Sequence, residues 1–256
     1  MDVCLIALRP SRRSSAEHVA GNPCNPRAGR LRKSAPPIAA TLWWPRRRSN
    51  YAPTMGDVRR ALWLLIVGSV LALVGVFLPA TSDFFDSDFT DAELIQMVDD
   101  DRAQYLIAFG LMGLGTVLAG IGLFVLGWSI ASTEGETAKW RETVARAAGI
   151  GGALAALAGL ERLLVALFAT PEFFVDGGGA LGDVVYIIGM IIGLTLSMIL
   201  LGILAWAAPP PKWTAVVLIV FAVLGLPAFM PWFVGLFVFA VANLVVMTRS
   251  PQSVTA

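Results

Sequence analysis

The residues best suited by type and position to do chemistry are an adjacent pair, Glu161-Arg162, inside a long apolar run. Ionisable side chains in hydrocarbon are costly and turn towards a bundle interior or a water-filled space. Glu161 lies about nine residues from one end of its run, about 13 Å deep at the helical rise. From other runs Ser69, Thr116, Thr195, Ser197 and Asn243 reach comparable depths of about 15 to 20 Å, so a polar layer near mid-membrane is expected. In a solute or ion pathway, Glu161 would carry a proton or bind a cation, and Arg162 would bind an anion or tune its neighbour. The preferred reading is structural: the pair partly neutralises itself, while the hydroxyls and Asn243 hydrogen-bond between helices. Neighbouring residues on a helix point about 100° apart, so neither member can fully satisfy the other, and each needs a further partner.

A second constellation follows the first apolar run. Asp83, Asp86, Asp88, Asp91, Glu93, Asp99, Asp100 and Asp101 place eight carboxylates within nineteen residues, against the single cation Arg102. Carboxylate oxygens suit Ca²⁺ or Mg²⁺, with Asp86, Asp88, Asp99, Asp100 and Asp101 as the candidate ligands. Asp86-Ser87-Asp88 resembles the acidic motif that polyprenyl-phosphate-dependent membrane glycosyltransferases carry in their first outer loop. The resemblance is confined to these three residues, and it implies a divalent-metal-dependent membrane enzyme. The preferred alternative is a solvated acidic cap, with Asp91 to Val98 forming a short amphipathic helix on the membrane surface, capped at Thr90 or Asp91. No metal site is assigned.

Other chemistries are excluded. Cys4, Cys24 and His18 are the chain's only cysteines and histidine, and all three precede residue 55. The apolar part therefore has no haem, zinc or iron-sulfur ligands of these types, no Cys nucleophile, no Ser/His/Asp triad and no disulfide. No catalytic residue and no cofactor is expected. Gly177-Gly178-Gly179 lacks the Lys and the strand context of a phosphate loop and reads as a flexible turn.

These residues need elements to position them, and composition names the class. The chain has 256 residues, 57% hydrophobic and only 14% charged, where soluble domains average about 25% charged. Its net charge of +1 joins two unlike parts: residues 1–54 carry ten Lys/Arg and two acids, residues 55–256 nine and sixteen. The first part, with seven prolines and no apolar period, reads as a disordered basic leader. Either it is a tail that touches anionic lipid or nucleic acid, or translation starts at Met55. The compact beginning Met55-Gly56-Asp57-Val58-Arg59-Arg60 favours the second, and nucleic acid is not an expected partner.

From residue 55 to 249 the hydropathy predicts an all-α membrane bundle of six spans, near 61–79, 104–130, 144–169, 184–208, 213–226 and 231–247, with a short tail at 250–256. The fifth is the shortest and, with the sixth, has an alternative as a re-entrant hairpin. Lys and Arg accumulate at one end of the bundle, at Arg59, Arg60, Lys139, Arg141, Arg146, Lys212 and Arg249, which puts both termini in the cytoplasm of a plasma-membrane protein. Trp63, Trp128, Trp206 and Trp213 lie near that end, and Tyr105, Tyr186 and Trp232 near the other, as interfacial aromatics do.

Ala80-Thr81-Ser82-Asp83-Phe84-Phe85 and Ala169-Thr170-Pro171-Glu172-Phe173-Phe174 share four identities, and Tyr105 and Tyr186 follow each. This is either a duplicated two-helix hairpin, as transporters use, or, as preferred, a shared interfacial preference. Gly189 and Gly193 form a GxxxG pair, and Gly68/Ala72, Gly115/Ala119, Gly152/Ala156 and Ala155/Gly159 repeat the spacing. Close backbone approach at such positions packs helices in lipid. The expectation is a structural or accessory membrane component whose partners are the lipid bilayer and another copy or another membrane protein. The alternative is a small-solute or ion transporter built around Glu161 and Arg162.

Overall fold

The computed structural model describes residues 55–84, 89–131, 139–176, 179–207 and 212–249, and every regular element among them is helical. The expectations placed on 1–54, on 250–256 and on Asp86 and Asp88 fall outside the described residues. Helix α1 (Met55–Val76) opens with an Asp57–Arg60 ion pair of 3.7 Å. It stops before Pro79, whose fixed φ and missing N–H start α2 (Pro79–Phe84). The Thr81 hydroxyl donates to Gly75 O at 2.7 Å in a buried bond, supplementing the 3.4 Å bond from Leu78 N at a carbonyl near the end of α1.

Helix α3 (Asp91–Asp100) begins with a capping box. Thr90 N and Oγ1 each donate to Glu93 Oε2 at 2.8 Å, and Glu93 N donates to Thr90 Oγ1 at 3.4 Å. Its apolar face packs on protein: Leu94 and Val98 are buried, Val98 among Tyr105, Phe109, Ala166 and Phe174. Helices α4 (Arg102–Ala131) and α5 (Lys139–Phe168) have 30 residues each. The five-residue α6 (Pro171–Val175), capped by Thr170, packs against α3. The next apolar run joins α7 (Gly179–Tyr186), a π-helical stretch at Ile187–Leu194 and α8 (Thr195–Ala207). The last elements among the described residues are α9 (Trp213–Leu224) and α10 (Met230–Arg249).

Five stretches are long and apolar enough to cross a membrane: Gly56–Val76, Arg102–Ala131, Lys139–Phe168, Val184–Ala207 and Met230–Thr248. The run expected at 213–226 forms only the 12-residue α9, about 18 Å long. Gly225 and a turn through Pro227 end it.

Helix α1 lies against α4, α4 against α5, α5 against the π stretch and α8, α8 against α9, α9 against α10, and α10 back against α1. This closes a ring, and Leu65, Leu123, Leu194, Met198, Phe233 and Leu236 supply its shared buried core. Glycine brings α4 within backbone contact of both neighbours. Gly113, Gly120 and Gly127, seven residues apart, face α5; a Cβ on Gly120 would stand 2.5 Å from Ala156 N and 2.6 Å from Gly152 O. Towards α1, a Cβ on Gly68 would stand 2.5 Å from Ala119 N and 2.6 Å from Gly115 O.

Candidate functional site

The periodicity of α5 decides which of its two charges turns inward. Gly152 and Gly159 contact α4, while Gly151, Leu154 and Ala158 contact the π stretch at Gly193 and Gly189. Leu157, Leu160, Leu164 and Leu167 form the exposed face. Arg162, one helical turn beyond Ala158, continues the inward stripe. It lines a cavity of about 320 Å³ together with Phe84, Phe109, Tyr186, Phe229 and Phe233. Glu161, about 100° away, is outside that lining.

Both side chains are largely buried, Arg162 24% and Glu161 17% exposed, and their closest approach is 3.8 Å from Nε to Oε2. Glu161 Oε2 accepts no hydrogen bond. The Arg162 guanidinium carbon lies 5.4 Å from the Tyr186 ring centroid, within cation–π range. Tyr186 in turn meets Phe229 edge-to-face at 5.4 Å. At one end of the cavity Phe84 packs edge-to-face on Phe109 at 4.9 Å and on Phe174 at 5.6 Å. Val175 and Asp176, which is exposed, complete that end. Met112, Gly113, Thr116, Ala158, Gly159 and Met190 form the deeper walls.

Of the remaining candidates, only Thr116 joins Arg162 at the cavity, and its hydroxyl donates to Met112 O of its own helix at 2.8 Å. Asn243 Nδ2 likewise donates to Phe239 O at 2.8 Å. Ser197 Oγ lies 2.8 Å from both Ala148 O and Gly193 O, so its single proton bridges α5 and its own helix. Ser69 and Thr195 are buried with hydroxyls that make no hydrogen bond. Gly189 and Gly193 form the contact with α5; a Cβ on Gly189 would stand 2.6 Å from Leu154 O. Asp99, Asp100 and Asp101 project from the end of α3 into solvent, and no cluster of three metal-ligating side chains exists among the described residues.

The cavity aromatics were not candidates in the sequence, although traces of them were. Phe84 and Phe174 lie in the two similar hexapeptides, and Tyr186 is the second of the paired tyrosines. An Arg guanidinium can stack on aromatic faces, and Tyr186 in the next apolar run was one aromatic available to it. The chain matches no known protein family, no curated protein and no solved structure.

Proposed function

We propose that this chain is a six-span plasma-membrane protein with both termini in the cytoplasm, serving as a structural or accessory component of that membrane. The observation that carries the reading is the glycine seam on both sides of α4. It locks α1, α4 and α5 backbone to backbone in a closed ring whose centre is filled by apolar side chains. Such a bundle keeps one shape, which suits a component that other membrane molecules pack against.

Crossing by α9 is supported by depth. Gly202 of α8 meets Ala215 and Ile219, while Tyr186 meets Phe229. The segment from Lys212 to Phe229 therefore runs antiparallel to the whole stretch from Ala207 back to Tyr186. Orientation is supported by cations held over tryptophan rings at the Lys/Arg-rich end, Arg146 at Trp128 and Lys212 at Trp206.

Complementation tests the function. In cells lacking the chain, the accessory reading expects the resulting envelope defect to be restored by Glu161→Gln and Arg162→Gln, and not by Gly120→Leu, which forces α4 from α5. One observation favours a second reading, passage of a small solute: Arg162 faces a cavity and not lipid. In that case Arg162→Gln fails to complement while the purified variant keeps its thermal stability.

A further inference from the structure

We propose that the cavity binds an uncharged aromatic molecule, its rings held among Phe84, Phe109, Tyr186, Phe229 and Phe233. A dry cavity of about 150 Å³ holds benzene, so one of about 320 Å³ admits about two or three fused rings. The wall already shows the geometry that rings prefer: Phe84 stands edge-to-face on Phe109 at 4.9 Å, and Tyr186 on Phe229 at 5.4 Å. A further ring gains such contacts beyond its buried area, and a saturated molecule of equal size does not. Met112 and Met190, in the deeper wall, add thioethers that favour ring edges.

Arg162 is engaged by Glu161 at 3.8 Å and by the Tyr186 ring at 5.4 Å, and the Thr116 hydroxyl donates to Met112 O. Asp176 sits at the exposed end. What the inner wall gives an occupant is therefore mostly carbon and sulfur surface. A charged molecule would bury its charge against that surface at a cost, which an uncharged ring system escapes. Small-molecule sites are commonly apolar in this way. Such a site goes beyond the accessory reading and stands if that reading falls.

Headspace gas chromatography over the full chain in detergent, against protein-free detergent, measures binding of naphthalene and of its saturated counterpart decahydronaphthalene. The wild type is expected to hold naphthalene at least about fivefold more tightly. Nuclear Overhauser contacts from naphthalene to the isotope-labelled methyls of Met112 and Met190 should place it in the cavity. Replacing two rings together, Phe109→Leu with Phe229→Leu, keeps the wall apolar and should lose the preference. Decylnaphthalene as a competitor identifies the source. Displacement of naphthalene assigns a ring carried on a lipid-like chain, and failure to displace it assigns a free molecule; either supports the site. The proposal is overturned if naphthalene gains nothing over decahydronaphthalene, or if it binds without contact to either methyl. It is also overturned if the folded double variant keeps the wild-type preference. The wild-type measurements decide even if that variant does not fold.

Discussion

Glu161 and Arg162 are neighbours in sequence and both largely buried, yet only Arg162 lines the cavity. The 100° step between them was legible in the sequence, and so was the need of each for another partner. Which one faced inward was not, because that depends on where α4 and the π stretch meet α5. Arg162 found the Tyr186 ring, a partner 24 residues away. The expected polar layer is dispersed for a related reason. A lone Thr or Asn on a helix can donate to a carbonyl one turn back, so Thr116 and Asn243 do not depend on another helix. Thr81 does depend on one. Its hydroxyl reaches Gly75 O at the end of α1, in a buried bond. Thr81→Val keeps the shape and removes that buried bond, leaving Gly75 O only the longer bond from Leu78 N at 3.4 Å, which is expected to cost about 0.5 to 1.5 kcal/mol. Thermal unfolding in detergent should show a lower midpoint for Val and a nearly unchanged one for Ser.

At the scale of elements, the long apolar runs and their small-residue stripes were readable because hydropathy and spacing are local properties. The seven-residue repeat of Gly113, Gly120 and Gly127 was equally present and shows its purpose only against the α5 backbone. It yields a paired prediction within one helix. Gly120→Ala drives a methyl into backbone and is expected to cost about 1 to 3 kcal/mol. Gly110→Ala meets nothing closer than Leu163 Cδ1 at 4.0 Å, so it should gain up to about 1 kcal/mol from helix propensity. Opposite shifts in the unfolding midpoint would confirm the seam; equal shifts would refute it. Helix α3 was readable at its start, where Thr90 and Glu93 have capping-box spacing, but not in its docking, because an apolar face does not say whether lipid or protein covers it. The π stretch left no local signal.

Helix α3 also carries a pH dependence. The Thr90 backbone N–H, and then the Thr90 hydroxyl, hold the Glu93 carboxyl below its ordinary value of 4.5. A depressed folded-state pKa contributes stability that is complete above the unfolded value and is lost as pH falls through the folded one. Amide exchange across α3 should therefore accelerate relative to α4 as pH drops below about 4.5. Glu93→Gln should remove that dependence.

For the whole molecule, α9 decides how many times the chain crosses. Twelve residues of helix are too short alone for about 30 Å of hydrocarbon. From Lys212 to Phe229, however, the chain covers the depth that α8 and the π stretch cover between Ala207 and Tyr186. A turn at the level of Tyr186 lies beside the cavity end marked by Asp176, so Ala228 and Asp176 should share one side of the membrane. Residues 55–256 contain no cysteine, so single cysteines can report on each end once Cys4 and Cys24 are replaced by serine. Asp176→Cys and Ala228→Cys should react with a membrane-impermeant maleimide in intact cells. Trp140→Cys and Lys212→Cys, exposed at the cation-rich end, should react only after permeabilisation. Protection of Ala228→Cys alone would make α9 part of a re-entrant hairpin. The reverse pattern at all four sites would turn the molecule over and place the Arg162 cavity on the cytoplasmic side.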